Sequence, residues 1–580
     1  MRRVSLPTSE LAVASPTPAE ATLPAPAQPA ASLNRRRLLQ GSGAVVASSF
    51  IGAMGALHAR QAQAQSGQRA GGKQTVSAVS PYGPIAPVAD LSTGLPLLQL
   101  PAGFTYRSYG WTGDPLRDGR PTPSNHDGMA VVRAARVSRD GRGTELVLVR
   151  NHERGLASGT ADAILAPQVY APGAINGIIT IGGALTVRIG ASGVVTNPAA
   201  PDPTPFTGVA GGGTTNLVFR NGQWAESYAS LGGTLGNCAG GPTPWGSWLT
   251  CEETIFDFSL IGGRKHGYVF ESAVDAAASS AVPIVGMGRF VHEAVAVDPA
   301  TGIVYETEDN RNASALYRYV PNNSSGQIGS LQQGGTLQAA RIRAVVRQAQ
   351  ALSLAASNNV GLLNPEVGDE YELEWVNIAD PDADPRTVAG LPGGVALAAM
   401  AGPTLQALAA GCARMSRGEG IWHAAGKMFI VDTGAGVNGA NQPGQGDGAV
   451  WELTLSTMRL RALFVSGAAT AGNNPDNVTV SPRGGVVLCE DGGASPDAFG
   501  NGSRLLGLNG NGEAYILCKN NVSLSAAQVA AAGKTVPAGD YRGSEFCGAC
   551  FDPSGRVLFC SIQTPGITVA ITGPWGAGNL

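Results

Sequence analysis

The chain has 580 residues, a formal net charge of −3 and 14% charged side chains, with 81 glycines and 38 prolines. Near-neutral charge provides no electrostatic footprint for nucleic acid, and so much glycine and proline favours short strands joined by tight turns over long solvated helices. Eight cysteines are too few for a disulfide scaffold in a chain of this length, although they allow a bridge or two.

The first predicted element is an export signal. A proline- and alanine-rich run leads into Asn34-Arg35-Arg36-Arg37-Leu38-Leu39-Gln40 and then a mildly apolar segment from Ser42 to Leu57. This is a twin-arginine pattern, with Arg35 and Arg36 as the pair, and Ala62-Gln63-Ala64 supplies small residues for cleavage before Gln65. The apolar stretch is shorter than the roughly 20 residues needed to span a bilayer and is diluted by glycine and serine, so no stable membrane insertion is expected. Residues 1–64 are therefore read as signal peptide and N-terminal extension, and 65–580 as one domain. About 515 residues exceed what one simple core holds, which implies either several domains or one closed repeat architecture. Export in the folded state by the twin-arginine machinery suits a metalloprotein bound for the periplasm or beyond.

Asn125-His126-Asp127 precedes a strand over Met129–Val137, and a turn at Ser138–Gly143 returns into Glu145–Arg150. That strand ends at Asn151-His152-Glu153, either an ordinary surface group or a metal or substrate contact. The stretch Leu235–Thr254 then sets Cys238 in a glycine-rich turn and runs an aromatic strand into Glu252 and Glu253. Thiolate beside carboxylate suggests a transition metal with hard cations nearby; the alternative is a buried cysteine and an acidic strand end facing water.

A turn-then-strand unit recurs. Gly302 opens Ile303–Thr307, ending at Glu308 and Asp309; Gly484 precedes Gly485–Cys489, ending at Glu490 and Asp491. Gly426 opens Lys427–Val431, ending at Asp432, and Gly555 opens Arg556–Cys560, ending at Ser561 and Gln563. The terminal polar group falls at an even offset from the glycine each time, hence on one strand face, and repetition at long intervals predicts a β-propeller delivering strand ends to a shared axial face. Carboxylates converging there repel one another unless cations neutralise them.

Leu337–Ala356 reads as helix, Pro365–Asp384 as an acidic loop and Val395–Ala410 as a second helix interrupted at Pro403, so residues 326–414 are expected to form an insertion on the propeller. Ser523–Ala532 reads as a short helix. Cys547 and Cys550 have C-x-x-C spacing without a second pair, which favours a partly buried strand with small residues over a zinc site. The glycine runs at 211–213 and 507–512 lack a P-loop lysine.

Taken together, several blocks resemble the PhoX-type alkaline phosphatases, exported six-bladed β-propellers that carry iron and calcium. They are NCAGGPTPWGSWLTCEE at Asn237–Glu253, GRFVHEAVAVDP at Gly288–Pro299, VYETED at Val304–Asp309, SRGEGIW at Ser416–Trp422, NPDNVTVSPRGGVVLCEDG at Asn474–Gly492 and the segment Phe546–Trp575. The resemblance implies an all-β, six-bladed propeller in which Cys238 binds ferric iron and Glu253, Glu293, Glu308, Glu419, Asp476 and Glu490 supply carboxylates to iron and calcium. It implies that Arg417 holds the phosphate of small organic phosphate esters, and a monomer is expected. Two positions depart from the family pattern: Gly418 stands where proline is expected between Arg417 and Glu419, and Asn125-His126-Asp127 stands where Asn-Asn-Asp is expected. The competing classes are a calcium-dependent propeller hydrolase, lactonase or phosphotriesterase, which needs the carboxylates but not Cys238, and a non-catalytic binding propeller, which needs neither Cys238 nor Arg417.

Overall fold

In the computed structural model the described residues belong to one compact unit of the chain. The structure describes residues 72–136, 143–157, 163–173, 177–181, 185–190, 193–195, 208–259, 263–385 and 400–580. The expected twin-arginine segment and cleavage site, most of the expected turn at 138–143 and the first part of the helix expected over 395–410 lie outside those residues.

This unit is mostly β, built from antiparallel sheets arranged in a propeller-like way. Each large sheet begins with an innermost strand: His126–Arg136, Asn237–Pro242, His292–Val297, Gly418–Ala424, Pro475–Val480 and Phe546–Phe551. These six strands touch in sequence order, and the last returns to the first, closing a ring. Small residues permit the approach; a Cβ on Gly420 would lie 2.7 Å from the Asp476 carbonyl oxygen. The ring is closed from both ends of the chain: Thr105–Tyr109 pairs with Ile567–Thr572 as the outer strand of the last sheet, and Leu98–Pro101 extends the preceding one through Ala514–Asn520.

The expected turn-then-strand units are present as Val304–Glu308, Lys427–Asp432, Val486–Glu490 and Val557–Ile562, each the second strand of its sheet. Their near-complete burial follows from covering on both faces by adjacent sheets, as in Lys427–Asp432, where Met428 and Ile430 share a core with Tyr305 and Phe429 and Val431 share one with Leu488.

Two helix readings are corrected. Leu337–Ala356 is largely strand, Gly335–Arg347, followed by a single helical turn at Leu354–Ala356. The alanines and glutamines favour helix locally, but pairing on both sides, with Tyr317–Pro321 and Glu370–Asn377, overrides that preference. The acidic loop expected over Pro365–Asp384 contains the strand Glu370–Asn377, in which Tyr371 and Leu373 alternate inward while acidic residues face outward. Through Glu370↔Arg461 and its neighbours, this strand stitches two sheets into one of nine strands. Pro403 starts the helix Gly402–Ala409 instead of kinking it, as suits a residue without an N–H to donate. The short helix at Ala526–Ala531 is present, closed by a Ser525–Gln528 capping box. Cys547 and Cys550 lie in a buried strand, and all eight cysteines are buried and unpaired. Among the described residues no helix is long and apolar enough to cross a membrane.

Candidate metal centre and active site

Five of the six inner strands carry a β-bulge at the same place, just inside their first paired residue. The register shifts fall between His126 and Met129, Asn237 and Gly240, His292 and Val295, Gly418 and Ile421, and Pro475 and Val478. A bulge turns one extra residue out of the ladder and re-aims its side chain. The residues at that position are Asp127, Cys238, Glu293, Glu419 and Asp476. In the sixth strand pairing runs one residue further and the bulge starts after Cys547, at Gly548, whose φ of 60° suits glycine.

Backbone groups freed by the bulges are taken up by side chains of neighbouring sheets. Asn151 donates to the carbonyls of Cys238 and Ala239 at 3.1 and 2.7 Å, and accepts from Trp248 and Thr250. Thr307 bonds the Glu419 carbonyl, and Asn477 accepts from Gly548 N at 2.7 Å. Asn151 and His152 therefore serve the scaffold, His152 being bonded to Ser124 O and Thr215 Oγ1.

The side chains so presented form four linked groups: Cys238 with Glu253 and Glu293; Glu293 with Glu419 and Asp476; Asp476 with Asp491 and Glu545; and Asp127 with Glu153 and Glu545. Within each group the ligand atoms lie within 4.8 Å of one another, and shared members join the four into a continuous chain. Both carboxylate oxygens of Glu293 are buried without a hydrogen-bond partner among the described residues. An ionised carboxylate is not stable there without a proton or a cation. Burial first, then the charge of Glu419, pushes the Glu293 carboxyl well above its usual range; burial and then Asp309 do the same for Glu419. Asp476 is pushed up to about 7 by burial and then Asp491. The Cys238 thiol is driven far upward by burial, then by Asp127 and Glu293.

Arg417 lies at the edge of this array. Its φ of 60° is uncommon for a residue with a Cβ, and such strain is concentrated at functional sites. Its Nε donates to both oxygens of Asp309 at 3.0 and 3.1 Å, and its NH2 nitrogen lies 2.8 Å from Glu419. Burial alone would lower its pKa, but Glu419 and Asp309 outweigh it and hold the guanidinium charged. Gly418, the departure from the family pattern, has an N–H facing Ser314 Oγ at 3.4 Å, a contact proline would lack.

Cys238, Glu253, Glu293, Glu419 and Asp476 are thus brought together, with Arg417 against them. Glu308 and Glu490 are not. Glu308 is occupied by Thr404, Ala315 N and Tyr317, and Glu490 accepts two bonds from Arg504 at 2.7 Å and one from Asn473 N. Glu252 holds Leu235 N, Gly267 N and His266 in the same way, and Asp432 holds Ser416 N. The strand-end carboxylate is therefore a structural acceptor tying its own sheet together. The residue one step beyond it faces the ring: Glu153, Glu253, Asp309 and Asp491 each donate a backbone N–H to the loop before the inner strand. Asp127, Asp309, Asp491 and Glu545 join the candidate site without a ligand role in the sequence reading, and Glu153 joins it from a strand end for which metal or substrate contact was one of two alternatives. The single-step shift was visible in the sequence, since Glu253 follows Glu252 as Asp309 follows Glu308.

The family described as alkaline phosphatase PhoX matches residues 80–566. The solved structure of Pseudomonas fluorescens PhoX in complex with vanadate, a transition state analogue, is similar with a TM-score of 0.51 and 16% identity, over 86% of this chain and 98% of that one. A gluconolactonase of Xanthomonas campestris gives a TM-score of 0.30 and 11% identity, over 88% of this chain and 99% of its own. No curated protein matches. With the family match spanning most of the sequence and the fold shared with a PhoX structure, the chain belongs to the PhoX alkaline phosphatase family.

Proposed function

We propose that the protein hydrolyses small organic phosphate monoesters at an iron- and calcium-containing centre on the axis of a six-bladed propeller. The observation that carries this reading is the chain of four linked acidic groups, one including Cys238, laid along the ring of bulges with Arg417 at its edge. The family supplies the reaction, and the closed ring of six inner strands supports the blade count.

The donor set fits the metals. Glu293, with both oxygens buried and unpartnered, joins the thiol-containing group to an all-carboxylate one. Cys238, Glu253 and Glu293 would hold ferric iron, since thiolate selects a transition metal, and the carboxylate groups built on Glu419, Asp476, Asp491, Glu545, Glu153 and Asp127 would hold calcium. When bound, such ions supply Lewis-acid polarisation of a phosphoryl oxygen and neutralise the converging carboxylates. Arg417 binds the phosphate oxygens through its planar guanidinium, which remains cationic throughout the working pH range. Bulges on a closed ring fix the donors on rigid strands instead of loops, which is what orientation of an ester for hydrolysis requires. Twin-arginine export through Arg35 and Arg36, a periplasmic or secreted location, and a monomeric state complete the proposal.

The test is turnover of p-nitrophenyl phosphate at alkaline pH by the folded protein. Chelation should abolish it and calcium restore it. Inertness of the metal-replete protein toward every phosphomonoester tried would overturn the assignment.

A further inference from the structure

The loop from Asp309 to Ser314 holds Arg417 by backbone and side chain at once. Glu308, just before it, accepts from Ala315 N at 3.2 Å and from Tyr317 at 3.1 Å, so the loop is closed at its base. Arg417 N donates to Asn310 O at 3.2 Å and Ser314 Oγ at 3.1 Å, while Thr433 N donates to Arg417 O at 2.9 Å; these bonds maintain the left-handed backbone. From that fixed Cα the side chain reaches Asp309, whose two oxygens both receive Nε. The other end of the guanidinium is at Glu419, a member of the group with Glu293 and Asp476. An arginine side chain has several rotatable bonds, and a fork that binds phosphate by geometry is useful only if its plane is set beforehand. Arg417 is also only partly buried, with 24% of its side chain exposed, so packing alone does not set that plane.

We propose that Asp309 is the positioning residue of Arg417: it holds the Nε edge so that the guanidinium meets phosphate in one orientation. The proposal rests on the phosphatase reading of the site and adds a residue to it. Asp309 also faces Glu253, so the competing role, a direct metal ligand, must be separable by experiment.

The test is a double-mutant cycle on the purified holoprotein, with inorganic phosphate as the probe, read by calorimetry, and KM and kcat for p-nitrophenyl phosphate measured alongside. Asp309→Ala should weaken phosphate binding about tenfold or more and raise KM by a similar factor, with metal content unchanged. In an Arg417→Ala background, already weakened, adding Asp309→Ala should change nothing further. Asp309→Asn, which keeps the volume and one acceptor for Nε, should lose less; it also serves as the variant if the alanine protein does not fold. Additive losses, unchanged affinity in the single variants, or loss of metal from them would each overturn the positioning role. A wild type that binds phosphate but hydrolyses no ester would instead count against the phosphatase reading alone, because the cycle is read in binding.

Discussion

Stripping the metal ions should make the protein less stable as pH rises. Glu153 and Asp476 are each pushed up to about 7, chiefly by burial and then by the charge of Asp491. In the unfolded chain the same side chains titrate near 4. Between those values the metal-free folded protein binds more protons than the unfolded chain. The stability contributed by these groups is therefore complete at low pH and is lost as pH rises toward the folded values. At about 1.4 kcal/mol per pH unit for each group, the two together amount to ~5 kcal/mol between pH 5 and 7, comparable with the whole stability of many domains. Glu293, Glu419, Glu253 and Asp127, all raised by burial first, act in the same direction. The assay is denaturant unfolding of chelated protein at a series of pH values from 5 to 8, repeated with saturating calcium. Calcium should remove the slope, because a bound cation replaces the proton as the partner of each carboxylate. Metal-free stability that increases between pH 5 and 7, or a slope indifferent to calcium, would refute the reasoning.

Cys238→Ser should lose iron and any visible absorption while retaining calcium at the groups that lack the thiol; an unchanged spectrum with full iron content would contradict this. Arg504→Met leaves Glu490 buried without its guanidinium and should cost about 3–5 kcal/mol in denaturant unfolding, whereas an unchanged midpoint would show the pair to be dispensable. Replacing Arg35 and Arg36 together by lysine should leave precursor in the cytoplasm, detected by fractionation and immunoblot; normal export of that variant would rule out the twin-arginine route.

The second strands of the sheets were legible because a glycine turn and an apolar run of fixed length leave a local trace, as Gly302 to Glu308 illustrates. The chemical role of the strand end was not. Whether Glu308 or Asp309 faces the ring depends on the bulge in the partner strand at His292–Val295, and a bulge in one strand is invisible in the sequence of another. The same shift moved the assignment from Asp491 to Glu490. Asp127 and Glu153 belong to segments the sequence reading singled out, yet only the return of Phe546–Phe551 to His126–Arg136 brings Glu545 against them. Gly335–Arg347 carries a helix signal in its alanines, and the two strands whose pairing overrides it are remote or weakly patterned in sequence. Cys238 and Glu253, by contrast, are neighbours legible in the sequence, since both belong to one hairpin and need no long-range contact to meet.

The most direct measurement is the metal content and phosphate release of Glu293→Gln. Glu293 joins the thiol-containing group to its all-carboxylate neighbour, and neither of its oxygens has a hydrogen-bond partner among the described residues, so the amide is nearly isosteric and breaks no hydrogen bond described there. The variant should fold, lose bound metal and release phosphate from p-nitrophenyl phosphate about 100-fold more slowly or worse. Glu293→Gln with wild-type metal content and wild-type turnover would contradict the placement of the centre on the ring of bulges.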